Sequence, residues 1–96
     1  MKCNYTEDKQ IAEIEKYIAG TYGQHYAVSE EIQVVDIWET LGSLESTSRD
    51  TAIKYLMRYG KKDGKNKKDL LKAVHYIIYM MYVLDKEKEN ETYSRT

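Results

Sequence analysis

The sequence predicts an all-α protein, a small bundle of about four helices that forms homo-oligomers. Apolar residues recur every three or four positions along four segments, which is the spacing of a helix that buries one face. Glycines end three of these segments, and the chain of 96 residues contains no proline. A chain of this length is expected to form a single domain over residues 1–96, with flexible ends at residues 1–5 and 87–96.

The first helix is predicted at residues 7–19. Thr6 precedes two acidic residues, which is the pattern of a helix N-terminus, and isoleucines recur at helical spacing up to Gly20. Residues 20–28 contain two glycines and two tyrosines. They are expected to form an ordered loop.

The second helix is predicted at residues 30–41, and Gly42 ends it. One of its faces carries Val34, Ile37, Trp38 and Leu41. The polar residues 43–48 are expected to form a turn, and a third helix follows at residues 49–59. The expected core face of this third helix consists of Ala52, Ile53, Leu56 and Met57.

The fourth and longest helix is predicted to run from about residue 66 to about residue 88, with Asn66 and Asp69 as cap-compatible residues at its start. Between residues 70 and 84 the strictly polar residues are Lys72 and His75, and apolar or aromatic residues occupy every face. This stretch is shorter than the roughly 20 residues of a membrane span. A helix that is apolar on all sides must be covered on all sides, which predicts a homodimer or homotetramer. The face expected against another subunit carries Tyr79, Tyr82 and Val83.

Positive charge is concentrated in residues 49–72. This segment has nine Lys and Arg residues against three acids, whereas the other 72 residues have six basic and thirteen acidic groups. Such a focus attracts anions to one place and suits a compact phosphorylated ligand better than a long nucleic acid. The formal net charge of −1 argues against a dedicated DNA- or RNA-coating role, for which a basic domain is expected.

Aromatic residues lie among these cations. Lys54 and Arg58 are four residues apart, as are Tyr55 and Tyr59, so each pair shares a helix face. The predicted ligands of phosphate groups are Arg58, Lys54, Lys61, Lys62 and Lys72. The predicted base-stacking residues are Tyr26, Tyr55 and Tyr59, with His25 and Tyr76 in support. A solvated lysine-rich connection and tyrosines that line a core are the alternative interpretation.

The sequence contains no recognised catalytic or metal-binding signature, so neither catalysis nor metal binding is predicted. The segment from Gly60 to Asn66 lacks the spacing and the Ser or Thr of a phosphate-binding P-loop. Cys3, His25 and His75 have no metal-ligand spacing, and neither a metal nor a cofactor is predicted. A single cysteine cannot form an internal disulfide, and no signal-peptide pattern is present, so a reducing cytoplasm is expected.

Residues 24–81 resemble a family of small bacteriophage proteins. The resemblance rests on His25-Tyr26, the segment EEIQVVDIWETLG and, above all, the block AIKYLMRYGKK. Members of that family are often described as nucleotide kinases. The architecture is also similar to phage immune-evasion sponges, small oligomers that sequester the cyclic nucleotide signals of CBASS-type bacterial defence. Tyr59 stands where many relatives carry alanine.

The resemblance implies two functions. A sponge would bind a cyclic dinucleotide, such as cyclic GMP-AMP, in the cytoplasm of an infected bacterium without cleaving it. A nucleoside monophosphate kinase would use the same cations to hold two substrates and the transferring phosphoryl group. The sponge is the preferred hypothesis because no magnesium-binding arrangement accompanies the lysines. Single-stranded nucleic acid binding is a third and weaker alternative.

Overall fold

A computed structural model of the protein describes residues 2–23, 33–61 and 64–94. The chain divides into two compact units, Met1–Gln33 and Val34–Thr96, and each is described by itself. Within the described residues, the regular elements are four α-helices and no β-strand, which confirms the predicted all-α class. Among these helices, none has both the length and the hydropathy that crossing a bilayer requires.

The first unit contains helix α1, Glu7–Thr21. Thr6 precedes the helix as predicted, but its side chain makes no capping hydrogen bond; its carbonyl accepts one from the Gln10 N–H at 3.0 Å. The predicted end at residue 19 is wrong, because the helix continues through Gly20 to Thr21. A glycine lowers helix propensity by only about 1 kcal/mol, so it does not by itself end a helix.

The second unit begins with helix α2, Val34–Leu41. Gln33 is not helical, so the predicted helix is not continuous over residues 30–41; the predicted start at residue 30 lies outside the described residues. Gly42 ends the helix as predicted, with a φ of 75°, and the Ser43 N–H donates to the Trp38 carbonyl at 2.9 Å. A left-handed glycine of this kind satisfies the last carbonyls of a helix.

Helix α3 spans Leu44–Arg58 and begins five residues earlier than predicted. The serines and threonine of residues 43–48 suggested a turn, since these residues have modest helix propensity. However, Leu44, Ser48 and Ala52 recur every four residues and are only 4%, 0% and 5% exposed. Burial of this face against the next helix therefore overrides the local preference.

The expected core face of α3 is correct only at Ala52. Ile53, Leu56 and Met57 are 47%, 51% and 61% exposed. The helix instead turns its smaller residues towards α4, and the contact between α3 and α4 is the most extensive in the unit. Small side chains allow two helix backbones to approach closely, which leaves the larger apolar residues on the outer face.

Helix α4 spans Lys67–Ser94. Asn66 caps it as predicted, because its side-chain oxygen accepts a hydrogen bond from the Lys68 N–H at 2.9 Å. The predicted end near residue 88 is wrong. Lysine and glutamate are good helix formers, and Lys86 and Glu89 form an ion pair at 3.4 Å on one face of the extended helix.

Ser48 provides a test of the contact between α3 and α4. Its hydroxyl is fully buried and has no hydrogen-bond partner among the described residues. Such a group costs about 1–3 kcal/mol, so Ser48→Ala is expected to raise the free energy of unfolding by at least about 1 kcal/mol. Ser48→Leu is expected to lower it by about 1–3 kcal/mol through overpacking. Urea unfolding followed by circular dichroism measures both.

Ser46→Ala is the matched control, because Ser46 is exposed on the same helix and its hydroxyl bonds to the Ser43 carbonyl. It should change stability by no more than the difference in helix propensity, about 0.5 kcal/mol. A Ser48→Ala variant less stable than Ser46→Ala would contradict the close packing described here.

Candidate anion-binding site

Three cationic side chains surround the ring of Tyr55. The Lys54 Nζ lies 4.7 Å from the ring centroid, the Arg58 Cζ lies 5.2 Å away, and the Lys72 Nζ lies 5.1 Å away. We call these four residues the basic cluster. Lys54, Tyr55 and Arg58 come from α3, whereas Lys72 comes from α4. The cluster therefore exists only because the two helices are packed together.

The helical repeat explains how α3 contributes two cations. Lys54 and Arg58 are one turn apart and therefore lie on the same side of the helix. Both are exposed, while Tyr55 is half-buried between α3 and α4 and Lys72 is half-buried across from it. The negative face of an aromatic ring attracts cations by about 0.5–1 kcal/mol at exposed sites, so Tyr55 helps to hold the three groups near one another.

The positive charges of the basic cluster have no acidic partner within it. Within the part of the chain that the structure describes, none of Lys54, Arg58 and Lys72 forms an ion pair with an acidic side chain. Like charges gathered around one ring repel each other, and this repulsion is relieved when an anion binds among them. The arrangement is therefore suited to a ligand that carries several negative charges.

A group of aromatic rings continues from Tyr55 along α4. The Tyr55 and Tyr76 rings are nearly parallel, with centroids 6.2 Å apart. Tyr76 meets Tyr79 edge-on at 5.7 Å, and Tyr79 lies 4.8 Å from the ring of His75. His75 is only 7% exposed, and burial lowers its pKa below the usual value of 6.5. These contacts give Tyr55 a rigid support on the α4 side.

A tight turn follows the basic cluster at the end of α3. The Gly60 N–H donates to the Gly64 carbonyl at 2.9 Å, and the Lys61 N–H donates to the Arg58 carbonyl at 3.0 Å. Gly60 and Gly64 have φ angles of 82° and 73°, which glycine adopts without strain. The turn places the exposed Lys61 directly after the helix end that carries Arg58.

The structure brings together some of the predicted site residues. Lys54, Tyr55, Arg58, Lys72 and Tyr76 meet in one cluster of contacts. Nothing in these contacts tests whether they bind a ligand, and their roles stay predictions.

The other predicted residues fall into two groups. Tyr59 and Lys61 make backbone hydrogen bonds at the end of α3. The Tyr59 N–H donates to the Tyr55 carbonyl at 3.1 Å, and the Lys61 N–H donates to the Arg58 carbonyl at 3.0 Å. The remaining three lie outside the described residues, and they are His25, Tyr26 and Lys62.

A contact between α2 and α4 has no counterpart among the sequence-based predictions. The Tyr82 hydroxyl donates a hydrogen bond to the Glu39 carboxylate, and this bond raises the pKa of Tyr82 above its usual value of 10.0. The two residues are 43 positions apart, and no pattern in the sequence links them. Tyr79, Tyr82 and Val83 form the face predicted to meet another subunit. Tyr82 is exposed, Tyr79 and Val83 are half-buried, and the contact with another subunit stays a prediction.

A cavity of about 260 Å³ lies beside the Tyr82–Glu39 contact. Its lining includes three glutamates and one lysine, Glu39, Glu45, Glu87 and Lys86. This charge balance is opposite to that of the basic cluster and does not suit a phosphorylated ligand. No group of three or more potential metal ligands was found in the part of the chain that the structure describes.

One comparison with known proteins gives a match. A family model described as "Protein of unknown function (DUF3310)" matches residues 21–78. This range includes α2, α3 and the first part of α4, and with them every residue of the basic cluster. No curated protein and no solved structure matches the chain.

Burial of His75 predicts a pH-dependent stability. Its pKa is lower in the folded chain than the usual 6.5, so the unfolded chain binds a proton at a higher pH than the folded chain does. The free energy of unfolding is therefore unaffected by His75 above pH 6.5, where the imidazole is neutral in both states. It decreases as the pH falls from 6.5 towards the lower pKa of the folded chain. We expect the urea midpoint to fall between about pH 7.5 and about pH 5, and to fall less in His75→Gln.

His25→Gln is the control variant, since it removes the other histidine of the chain. It should keep the pH dependence of the parent protein. If the pH dependence of the urea midpoint disappeared in His25→Gln but persisted in His75→Gln, the titrating group would be His25, which would contradict this account.

Proposed function

The chain belongs to the DUF3310 family, and we propose that this member is a sponge for a cyclic nucleotide second messenger. In this proposal it binds a ligand such as cyclic GMP-AMP and withholds it from its receptor without cleaving it. The observation that carries the proposal is the convergence of Lys54, Arg58 and Lys72 on the ring of Tyr55.

The basic cluster supports recognition of phosphate. Arg58 has a planar fork of N–H donors that can bind two phosphate oxygens at once, while the lysines act as point charges. All three cationic groups lie within 5.2 Å of one centroid, so they can act together on a compact ligand. Lys61 follows the helix end that carries Arg58, and in this proposal it adds a further charge at the edge of the site.

The aromatic residues support recognition of bases. Tyr55 is supported from the α4 side by Tyr76, and Tyr59 lies one turn beyond Tyr55 at the end of α3. Stacking of a base on an aromatic ring contributes roughly 1–3 kcal/mol in proteins that bind single strands. Cations and rings in one place favour a nucleotide over inorganic phosphate.

The biological setting of the proposal comes from the resemblance of residues 24–81 to small phage proteins. The protein would then act in the cytoplasm of the infected bacterium and help a phage evade CBASS-type defence. A homo-oligomer is part of this proposal, because large apolar residues remain exposed on each helix of the second unit. Symmetric copies would present repeated sites to a ligand that itself contains two bases and two phosphates.

The alternative is a nucleoside monophosphate kinase that uses the same three cations. Phosphoryl transfer depends largely on positioning and on electrostatic stabilisation, which the basic cluster could also provide. The two functions differ in whether a phosphoryl group moves, and the second experiment below separates them.

Arg58→Ala tests the phosphate site. Loss of its charged hydrogen bonds should cost about 1.5–3 kcal/mol, or roughly 10- to 150-fold in affinity for cyclic GMP-AMP measured by calorimetry. Arg49→Ala is the matched control, because Arg49 is an exposed arginine of the same helix that lies outside the basic cluster. It should change affinity by less than about threefold. Equal losses in the two variants would show that only the overall charge matters, and an unchanged Arg58→Ala would remove the site.

Product analysis separates a sponge from a kinase. The protein is incubated with cyclic dinucleotides, or with a nucleoside monophosphate, ATP and magnesium, and is then denatured by heat. We expect chromatography to recover intact cyclic ligand, bound without magnesium because the cations of the basic cluster neutralise both phosphates. The Arg58→Ala protein should carry correspondingly less ligand through the same procedure. New nucleoside diphosphate formed by the parent protein would support the kinase instead.

A further inference from the structure

Helix α4 carries an apolar stripe that is largely exposed over its C-terminal half. The stripe consists of Leu70, Val74, Ile77, Met81 and Leu84, and we call it the α4 seam. Its members are separated by four, three, four and three residues, which is the heptad spacing of helices that pack side by side. Over its fifteen residues the seam is about 21 Å long.

The α4 seam becomes more exposed towards its C-terminal end. Leu70 and Val74 are half-buried, whereas Ile77, Met81 and Leu84 are 41%, 58% and 47% exposed. Ile78 flanks the seam and is 37% exposed. A contiguous apolar surface of this kind marks a site of association.

The seam and the basic cluster lie on different sides of α4. Lys72 and Tyr76 approach Tyr55 of α3. With 3.6 residues per turn, Ile77 and Met81 are rotated by about 100° or more around the helix axis from both Lys72 and Tyr76. A partner bound to the seam would therefore leave the basic cluster open to a ligand.

The distribution of charge along α4 identifies the partner and its direction. Residues 65–72 contain four lysines and one aspartate, whereas residues 85–91 contain four acids and two lysines. Two copies of α4 packed in parallel would bring like charges together at both ends. If the two helices packed antiparallel, the basic end of each would meet the acidic end of the other. The two helix dipoles would also point in opposite directions, which is favourable.

We infer that two copies of this chain associate through their α4 seams with the helices antiparallel. Such an interface is isologous, so one contact covers the exposed seam of both copies. Ile77 and Met81 lie near its centre and the charged segments lie at its ends. The inference concerns the partner of α4 and requires no ligand, so it goes beyond the proposed sponge function and does not depend on it.

Cross-linking determines whether the seam pairs and in which direction. Leu70→Cys and Leu84→Cys are made separately in a Cys3→Ser background, which removes the natural cysteine. The two proteins are mixed unfolded, refolded together without nucleotide and treated with a short bismaleimide. In the antiparallel pair, residue 70 of one copy lies near residue 84 of the other, while the two residues 70 are about 21 Å apart.

We expect a covalent dimer in the mixture that mass spectrometry identifies as a 70-to-84 cross-link, with little dimer from either variant alone. Efficient cross-linking of Leu70→Cys to itself would show parallel helices and overturn the inference. Ser46→Cys, an exposed α3 position off the seam, should give little cross-linked product.

Light scattering on Met81→Glu is the independent measurement. A buried unpaired charge should shift the particle to a folded monomer of 11.3 kDa, with helix content checked by circular dichroism. Met57→Glu is the matched control, because Met57 is exposed to a similar degree on α3. A parent protein that is monomeric at micromolar concentration, or a Met81→Glu variant that stays associated, would overturn the inference. Cyclic nucleotide binding is not measured in either experiment, so its failure would leave these results unchanged.

Discussion

The close contact between α3 and α4 is the constraint on which the rest of the second unit depends. The buried side chains at this contact are mostly small, with Ser48 and Ala52 on α3 and Ala73 on α4. They let the two helices lie near enough for Lys72 to reach the ring of Tyr55. If the helices stood further apart, the charges of α3 and α4 would belong to two separate surfaces.

The basic cluster concentrates positive charge at one place on a protein with little net charge. Its cations lie on two helices and share one ring, so the local field is much stronger than the overall balance of −1 suggests. Tyr55 contributes to this arrangement in two ways, because it attracts the cations and is itself held by Tyr76. Phosphate recognition and base recognition would therefore depend on the same small set of side chains.

The apolar residues of α4 are divided among three environments. One side packs against α3, Tyr82 reaches Glu39 of α2, and the α4 seam remains exposed. In a chain this small, two short neighbouring helices cannot cover every side of a long apolar helix. Association would supply the missing cover, and it would do so without occupying the side of α4 that carries Lys72.

The sequence by itself determined the helical class, the capping of α4 by Asn66 and the end of α2 at Gly42, because these depend on local spacing and local hydrogen bonds. It also placed Lys54, Tyr55 and Arg58 side by side, since helical spacing sets which residues share a face. Tertiary structure decided the early start of α3, where burial of Leu44 outweighs weak helix propensity.

Tertiary structure also decided which apolar residues face inward. A helix that is apolar on all sides does not indicate which side a neighbour will cover, so the seam at Ile77 and Met81 could not be distinguished from the face at Tyr79. The Tyr82–Glu39 contact could not be predicted from the sequence either, because residues 43 positions apart meet only when the helices between them are packed. Such contacts depend on the relative placement of whole helices, which local sequence patterns do not encode.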